Sequence, residues 1–370
     1  MSKAKHMPTL FILSLPHTEL TKEYVSCAYT QKARKLADMM VDLGYKVYVL
    51  AGEENDSKGE LLTCINKQKQ HEFFGDPGEY KKTFYNITWG PEEEHWQYFN
   101  KNAIEHISKL IQPKDLILTF AGVCQQQVAN AFPNNFTVEA GIGYEGVFSK
   151  WKVFESYAWM NYVHGKLSDD NGDFYERVIP NYWDVSEFPF QARDLGGDEK
   201  PYFLYIGRLI ERKGYRIAQE VCQKLGVPLK LAGQMDVGQE FQGYGEYLGT
   251  VDAKQRGVLM SNAVATFTPT TYLGPFEGTH VESQLAGTPV ITTPFGVYNE
   301  TVVDGFNGQR CYTFKDFLEA AEWAQTLDDS QRRKIRNNAR KKWGMKNVAL
   351  QYDEYFEKLM DLYKDGWYTE

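Results

Sequence analysis

Cysteine is scarce in this chain, long apolar runs are missing, and acids outnumber bases; each shortage removes a class of protein. The 5 cysteines among 370 residues, Cys27, Cys64, Cys124, Cys222 and Cys311, are odd in number, far apart and without any C-x-x-C pair. That pattern argues against a disulfide framework or a zinc site and fits a reducing compartment, with the thiols as small core residues. No apolar run reaches 18 residues, and the Thr9–Leu15 stretch behind Met-Ser-Lys-Ala-Lys-His-Met is too short and wrongly followed for a secretory signal. The expectation is a soluble, cytoplasmic protein with no transmembrane segment. With 41 basic and 49 acidic residues the net charge is −8, which weighs against nucleic-acid binding through a whole-protein basic field, although a local patch could still serve.

A chain of this length exceeds one ordinary core, so two domains are expected. Hydrophobic residues at 42% and charged residues at 24% are globular values, and aromatics at 15% supply flat, amphipathic surface for pockets. Leu10–Leu15 reads as a buried parallel-type strand. The helix after it keeps Tyr29, Ala33, Leu36, Ala37, Met40 and Val41 on one face and ends at Gly44; a strand at Lys46–Leu50 completes a βαβ unit. Further strands are expected at Asp115–Phe120, Phe136–Ala140 and Arg177–Ile179.

After Asn181 the chain becomes polar, with Pro189, Gly196, Gly197 and Pro201, the composition of an interdomain linker. A second alternation follows. Strands are expected at Tyr202–Ile206, Leu229–Ala232, Tyr247–Thr250, Val264–Thr268 and Val290–Thr293, with helices ending near Leu225 and spanning Ala253–Met260 and Thr279–Ala286. The pattern predicts an α/β fold of two Rossmann-like doubly wound domains facing a cleft, 1–185 and 186–346. A last helix, 347–370, places Tyr352, Phe356, Leu359 and Tyr363 on one stripe and crosses back to the first domain. It follows a basic run from Arg332 to Lys342, read either as a solvated helix face or as a patch for an anionic partner.

Residues 274–290 join a Gly-rich loop, a short helix carrying Glu282 and a buried strand, the layout of a phosphate and ribose site. Tyr202–Gly214 runs a strand into Gly207 and Arg208 and then into Lys213-Gly214. Two cations at the top of a strand suit a diphosphate, since Arg grips two oxygens and Lys supplies a point charge. With Leu231-Ala-Gly-Gln234, the Leu248–Val251 turn and Thr268-Pro-Thr270, the chain resembles the retaining nucleotide-sugar glycosyltransferases of the GT-B fold, the large family four. Val178-Ile-Pro-Asn181 and Glu300–Gly308 are also similar to family motifs.

The resemblance implies a hexosyltransferase that moves sugar from a nucleoside-diphosphate donor, UDP or GDP, to an acceptor hydroxyl on a glycan, a lipid-linked sugar or another hydroxyl compound. It implies no cofactor and no metal. Arg208 and Lys213 would hold the diphosphate, Glu282 the ribose, backbone near Thr250 and Val251 the base, and the Phe276, Glu277, Gly278 and Thr279 amides the sugar and phosphate, with Gly207 at the strand end. The family's first glutamate, eight positions before Glu282, falls on Gly274. Either Glu277 swings into that space or the donor sugar differs. His280 either touches phosphate or bonds to backbone.

On the acceptor side the family's usual glycine-rich loop and mid-domain His are replaced, leaving His17, Glu139, Gly141 and Gly143 as candidates, catalytic or structural. Asp169–Asp173 resembles a calcium loop but lacks its terminal Glu, so an exposed turn is expected. Three rivals remain: a sugar-nucleotide epimerase of the same fold, a non-catalytic sugar-nucleotide binder, and a transferase acting on a hydroxymethylated base in DNA through Arg332–Lys342 or Lys81-Lys82.

Overall fold

A computed structural model describes residues 7–25, 27–76, 87–172, 174–192, 201–236, 238 and 240–362. The chain divides into two compact units: Met1–Glu155 with Tyr162–Tyr182 and Met345–Glu370, and Trp183–Gly344 with Ser156–Asn161.

In the first unit the elements run β1 (Leu10–Leu13), α1 (Ala28–Asp42), β2 (Val47–Ala51), β3 (Glu60–Thr63), α2 (Lys67–Phe74), α3 (Glu94–Ser108), β4 (Leu116–Thr119), α4 (Gln126–Ala131), β5 (Phe136–Ile142), β6 (Trp151–Phe154), α5 (Tyr157–Leu167), whose residues up to Asn161 belong to the second unit, and β7 (Arg177–Val178). They form one sheet in the order β3-β2-β1-β4-β5-β6-β7, with every pairing parallel. Parallel strands covered on both faces must be apolar on both, and β1, β2 and β4 are buried at every residue. The order reverses between β1 and β4. Gln125 stitches the loops that leave these two strands: its Oε1 accepts the Phe120 and Ala121 amides at 2.9 and 3.1 Å, and its Nε2 donates to Ser14 O at 2.8 Å.

The second unit contains β8 (Phe203–Ile206), α6 (Tyr215–Leu225), β9 (Leu229–Ala232), β10 (Glu246–Tyr247), α7 (Ala253–Asn262), β11 (Thr266–Thr268), α8 (Thr279–Leu285), β12 (Val290–Thr292), α9 (Tyr298–Thr301), β13 (Gly308–Arg310), α10 (Phe314–Gln325) and α11 (Asp329–Trp343). Its sheet is again all parallel, β10-β9-β8-β11-β12-β13, and its order reverses between β8 and β11. The loops after those strands, 207–214 and 269–278, therefore flank the crevice where open α/β sheets receive ligands.

The last helix, α12 (Met345–Asp361), joins the first unit's core through Tyr352, Tyr355, Phe356 and Leu359. Tyr45 donates to Asp353 at 2.6 Å and Tyr355 to Tyr175 O at 2.7 Å. Tyr363, expected on the same stripe, lies outside the described residues. The strand expected at Tyr247–Thr250 stops at Tyr247 because Gly249 turns the backbone to φ 71° and Asp252 then caps α7, in a capping box with Gln255. Strands β3, β6 and β13 were not expected. No helix among the described residues is long and apolar enough to cross a membrane.

Candidate functional site

At the top of β8, Arg208 is exposed, and its guanidinium makes no hydrogen bond or ion pair among the described residues. A short 3-10 turn, Glu211–Lys213, follows and ends at Gly214, whose φ of 75° and close approach to the Pro269 carbonyl leave no room for a side chain. This contact sets Lys213 against the 269–279 loop. Lys213 is ion-paired with Glu277, both largely buried. Tyr272 completes the group. Its ring lies 4.3 Å from the Arg212 guanidinium and 5.2 Å from Lys213 Nζ, and burial, then the Glu277 charge, push its hydroxyl above the usual range.

Glu277 has a φ of 58°, a left-handed conformation that residues other than glycine hold only when their surroundings fix it. Two contacts fix it here. Its carboxylate meets Lys213, and its carbonyl accepts the Nδ1–H of His280 at 2.6 Å. A Cβ at Gly274 would collide with the Glu277 carboxylate, so the absent side chain makes room for the acid three residues later. His280 is fully buried among Phe276, Tyr298 and Trp343, and burial lowers its pKa to about 4. It is a neutral packing residue bonded to backbone.

Glu282, in the first turn of α8, is held from two sides: Trp183 Nε1 donates to it at 3.3 Å, and Arg256 Nε of α7 lies 2.9 Å from its other oxygen. Between Glu277 and Glu282 the backbone offers donors. Among the described residues the amides of Phe276, Glu277, Gly278 and Thr279 have no acceptor. The Phe276 ring itself is core, 5.8 Å from Trp183. Ser156 fixes the loop from below by donating to Pro275 O at 2.7 Å.

Gly207 ends β8, and Gly233 N donates to Gly249 O at 2.8 Å, tying the β9 loop to the one carrying Thr250 and Val251. Thr250 is exposed and Val251 packs beside Leu248 on the core. In the Glu300–Gly308 motif, Glu300 accepts the Tyr157 and Ala158 amides at 3.0 and 2.7 Å, while buried Asn307 donates to Gln284 at 2.8 Å. The second unit thus brings Arg208, Lys213, Glu277 and the 276–279 amides to two adjoining loops, with Glu282 in the first turn of α8 behind them. Sequence reasoning missed Trp183, Arg256 and Tyr272; only the place of Trp183, two residues after the Val178–Asn181 motif, hinted at a role.

In the first unit His17 sits in the loop after β1, buried beside Phe74 and Trp89; burial, then the neighbouring His95, lowers its pKa to about 3. Glu139 of β5 is fully buried. Its carboxylate accepts the Phe148 and Ser149 amides at 2.9 and 2.8 Å and the Tyr144 hydroxyl at 3.1 Å, and burial outweighs these bonds to raise its pKa to about 7. It organises the 144–149 loop. Gly141 O receives Lys32 Nζ at 3.3 Å, and Gly143 O receives Tyr29 OH at 2.9 Å. Asn181 donates to Glu155 at 2.7 Å, itself paired with Lys32.

The basic run is helix α11, and its cations divide. Arg332 is fully buried, donating to Gln191 O at 3.1 Å and to Ser261 O, while Arg336 donates to Phe188 O and Leu285 O. Arg333, Lys334, Arg340, Lys341 and Lys342 are exposed. Lys81 and Lys82 lie outside the described residues. Asp169 accepts the Asn171 amide at 3.0 Å in a local turn, and Asp173 lies outside the description. Among the described residues no three His, Cys, Asp or Glu side chains group in a way that could hold a metal.

Two all-parallel, doubly wound sheets of seven and six strands, with a last helix returning to the first, define a GT-B fold. Residues 188–342, within the second unit, match the family described as glycosyl transferases group 1. The chain is 30% identical over 168 residues to glycogen synthase of Mycobacterium tuberculosis, covering 41% of this chain; it spans 40% of the length of that relative. Over its whole length it resembles solved GT-B structures. Sucrose-phosphate synthase from Thermosynechococcus elongatus superposes with a TM-score of 0.65 at 17% identity, covering 96% of this chain and 100% of that one. The Anabaena protein HepE in complex with UDP and glucose gives 0.63 at 15%, with the same coverage.

Proposed function

We propose that the protein transfers a hexose from a nucleoside-diphosphate sugar to an acceptor hydroxyl with retention of configuration. The observation that carries this reading is the pairing of Lys213, on the loop after β8 that also carries Arg208, with Glu277 on the neighbouring loop, whose 276–279 amides have no acceptor among the described residues. Arg208 and the amides face a diphosphate as charge-assisted donors. Lys213 has three N–H donors, enough to serve a phosphate oxygen and Glu277 together.

Glu277 takes the sugar's hydroxyls in place of a residue at 274, and Glu282, oriented by Trp183 and Arg256, takes the ribose. The loop with Thr250 and Val251 meets the base. A uridine donor is favoured by the Anabaena structure, whose ligands are UDP and glucose.

In the reaction the bond from the anomeric carbon to the diphosphate breaks while the acceptor oxygen bonds on the same face. The acceptor's proton passes to a diphosphate oxygen. No protein nucleophile is needed, so the side chains act by positioning and by stabilising charge on the leaving group. The acceptor is a glycan, a lipid-linked sugar or another hydroxyl compound.

Incubating the protein with UDP-, GDP- and ADP-glucose, with and without acceptor sugars, tests the reading. Release of nucleoside diphosphate that is lost in Arg208→Ala supports it; an epimerised donor without acceptor selects the epimerase instead.

A further inference from the structure

The first unit carries an aromatic surface that the donor chemistry leaves unused. Trp89 is 46% exposed, yet its indole is braced on three sides. His17 and Tyr29 meet it edge-on at 6.3 and 6.2 Å, and buried Trp96 lies beneath at 5.5 Å. An exposed indole held this way offers a fixed apolar face with little rotamer freedom left to lose on binding.

Two residues on, at most about 7 Å of chain away, Pro91 begins the wall of a cleft of about 540 Å³. Glu92, Gln97, Lys101, Gln126, Gln127 and Asn130 line it. Four of these are amides, each able to donate and accept, and the single acid and base cancel in charge. Such a lining disfavours phosphate and suits a ligand rich in hydroxyls. Val123, also in the wall, follows β4, and His17 follows β1, so indole and cleft lie beyond the strand ends where the sheet order reverses.

We propose that this surface binds a neutral saccharide, one pyranose ring stacked on Trp89 and the next ring's hydroxyls bonded by Gln126, Gln127 and Asn130. The inference rests on the transferase reading and makes the acceptor a glycan of at least two rings.

Fluorine NMR of the full chain labelled with 5-fluorotryptophan tests it, with Trp89→Phe and Trp183→Phe assigning two of the 8 tryptophan signals. Maltose, cellobiose or lactose should shift the Trp89 signal, and a Gln126→Ala/Gln127→Ala double variant should weaken that response by about tenfold in Kd, on the order of 1.4 kcal/mol. UDP, GDP or ADP should shift Trp183, which touches Glu282, and leave Trp89 alone. A Trp89 signal silent to all three disaccharides, or an undiminished response in the double variant, overturns the saccharide site. Silence of Trp183 to all three nucleotides overturns the donor reading separately.

Discussion

The Glu277 carboxylate occupies the space beside Gly274 that a side chain at 274 would need, and from there it pairs with Lys213.

That relationship is open to a double-mutant cycle. Gly274 is not among the glycines with positive φ, so Gly274→Ala tests sterics rather than backbone strain. It should destabilise the second unit by about 1–3 kcal/mol, the usual cost of overpacking. In a Glu277→Ala background most of that cost should vanish, as urea denaturation of the four proteins would reveal; an unchanged penalty places the clash elsewhere.

Arg208→Ala and Lys213→Ala should each lower turnover by about 10²–10³, the common effect of deleting one donor to a developing charge. Tyr272→Phe keeps the ring under Arg212 but removes the hydroxyl near Lys213 and Glu277, so a smaller loss of about tenfold is expected. Steady-state kinetics at saturating donor separates the two effects, and equal losses would make Tyr272 more than a positioning residue.

Buried His280 gives stability a defined pH dependence. Its pKa falls to about 4 on folding from an ordinary 6.5, so the unfolded chain binds the proton first and stability is lost as pH drops from 6.5 toward 4. At pH 5 this contribution is about 2 kcal/mol. Glu139, raised to about 7, acts oppositely, gaining stability as pH falls from 7 toward 4.5. Comparing wild type with His280→Gln at pH 7 and pH 5 isolates the first effect: the variant should lose about 2 kcal/mol less over that interval.

Within α11, Arg332→Ala should cost about 3 kcal/mol or more, because it leaves a cavity and strands the Gln191 and Ser261 carbonyls. Lys341→Ala, on the exposed face, should stay within about 0.5 kcal/mol. Thermal denaturation of the two variants distinguishes a helix stapled from within from one that is basic only for a partner.

The cores of both sheets were legible because strands such as Leu10–Leu13 and Phe203–Ile206 are continuous apolar runs that leave few alternatives. β3, with its half-exposed Glu-Leu-Leu-Thr, and β13, Gly-Gln-Arg, have neither an apolar run nor clean alternation, and only sheet pairing defines them. Arg208, Lys213 and Glu282 could be read from residue type at strand and helix ends. Their partners could not. Lys213 and Glu277 stand 64 residues apart, Trp183 and Glu282 99 apart, and local patterning carries no information across such distances. The basic run likewise shows its charge in the sequence but not that Arg332 and Arg336 turn inward.

The most direct test of the donor site is thermal denaturation of wild type and Lys213→Ala with UDP-, GDP- and ADP-glucose, since a ligand bound only by the folded state raises its melting temperature. At least one donor should raise the Tm of wild type, and the shift should be largely lost in Lys213→Ala. No shift with any donor, or an equal shift in the variant, would contradict a diphosphate held by Lys213.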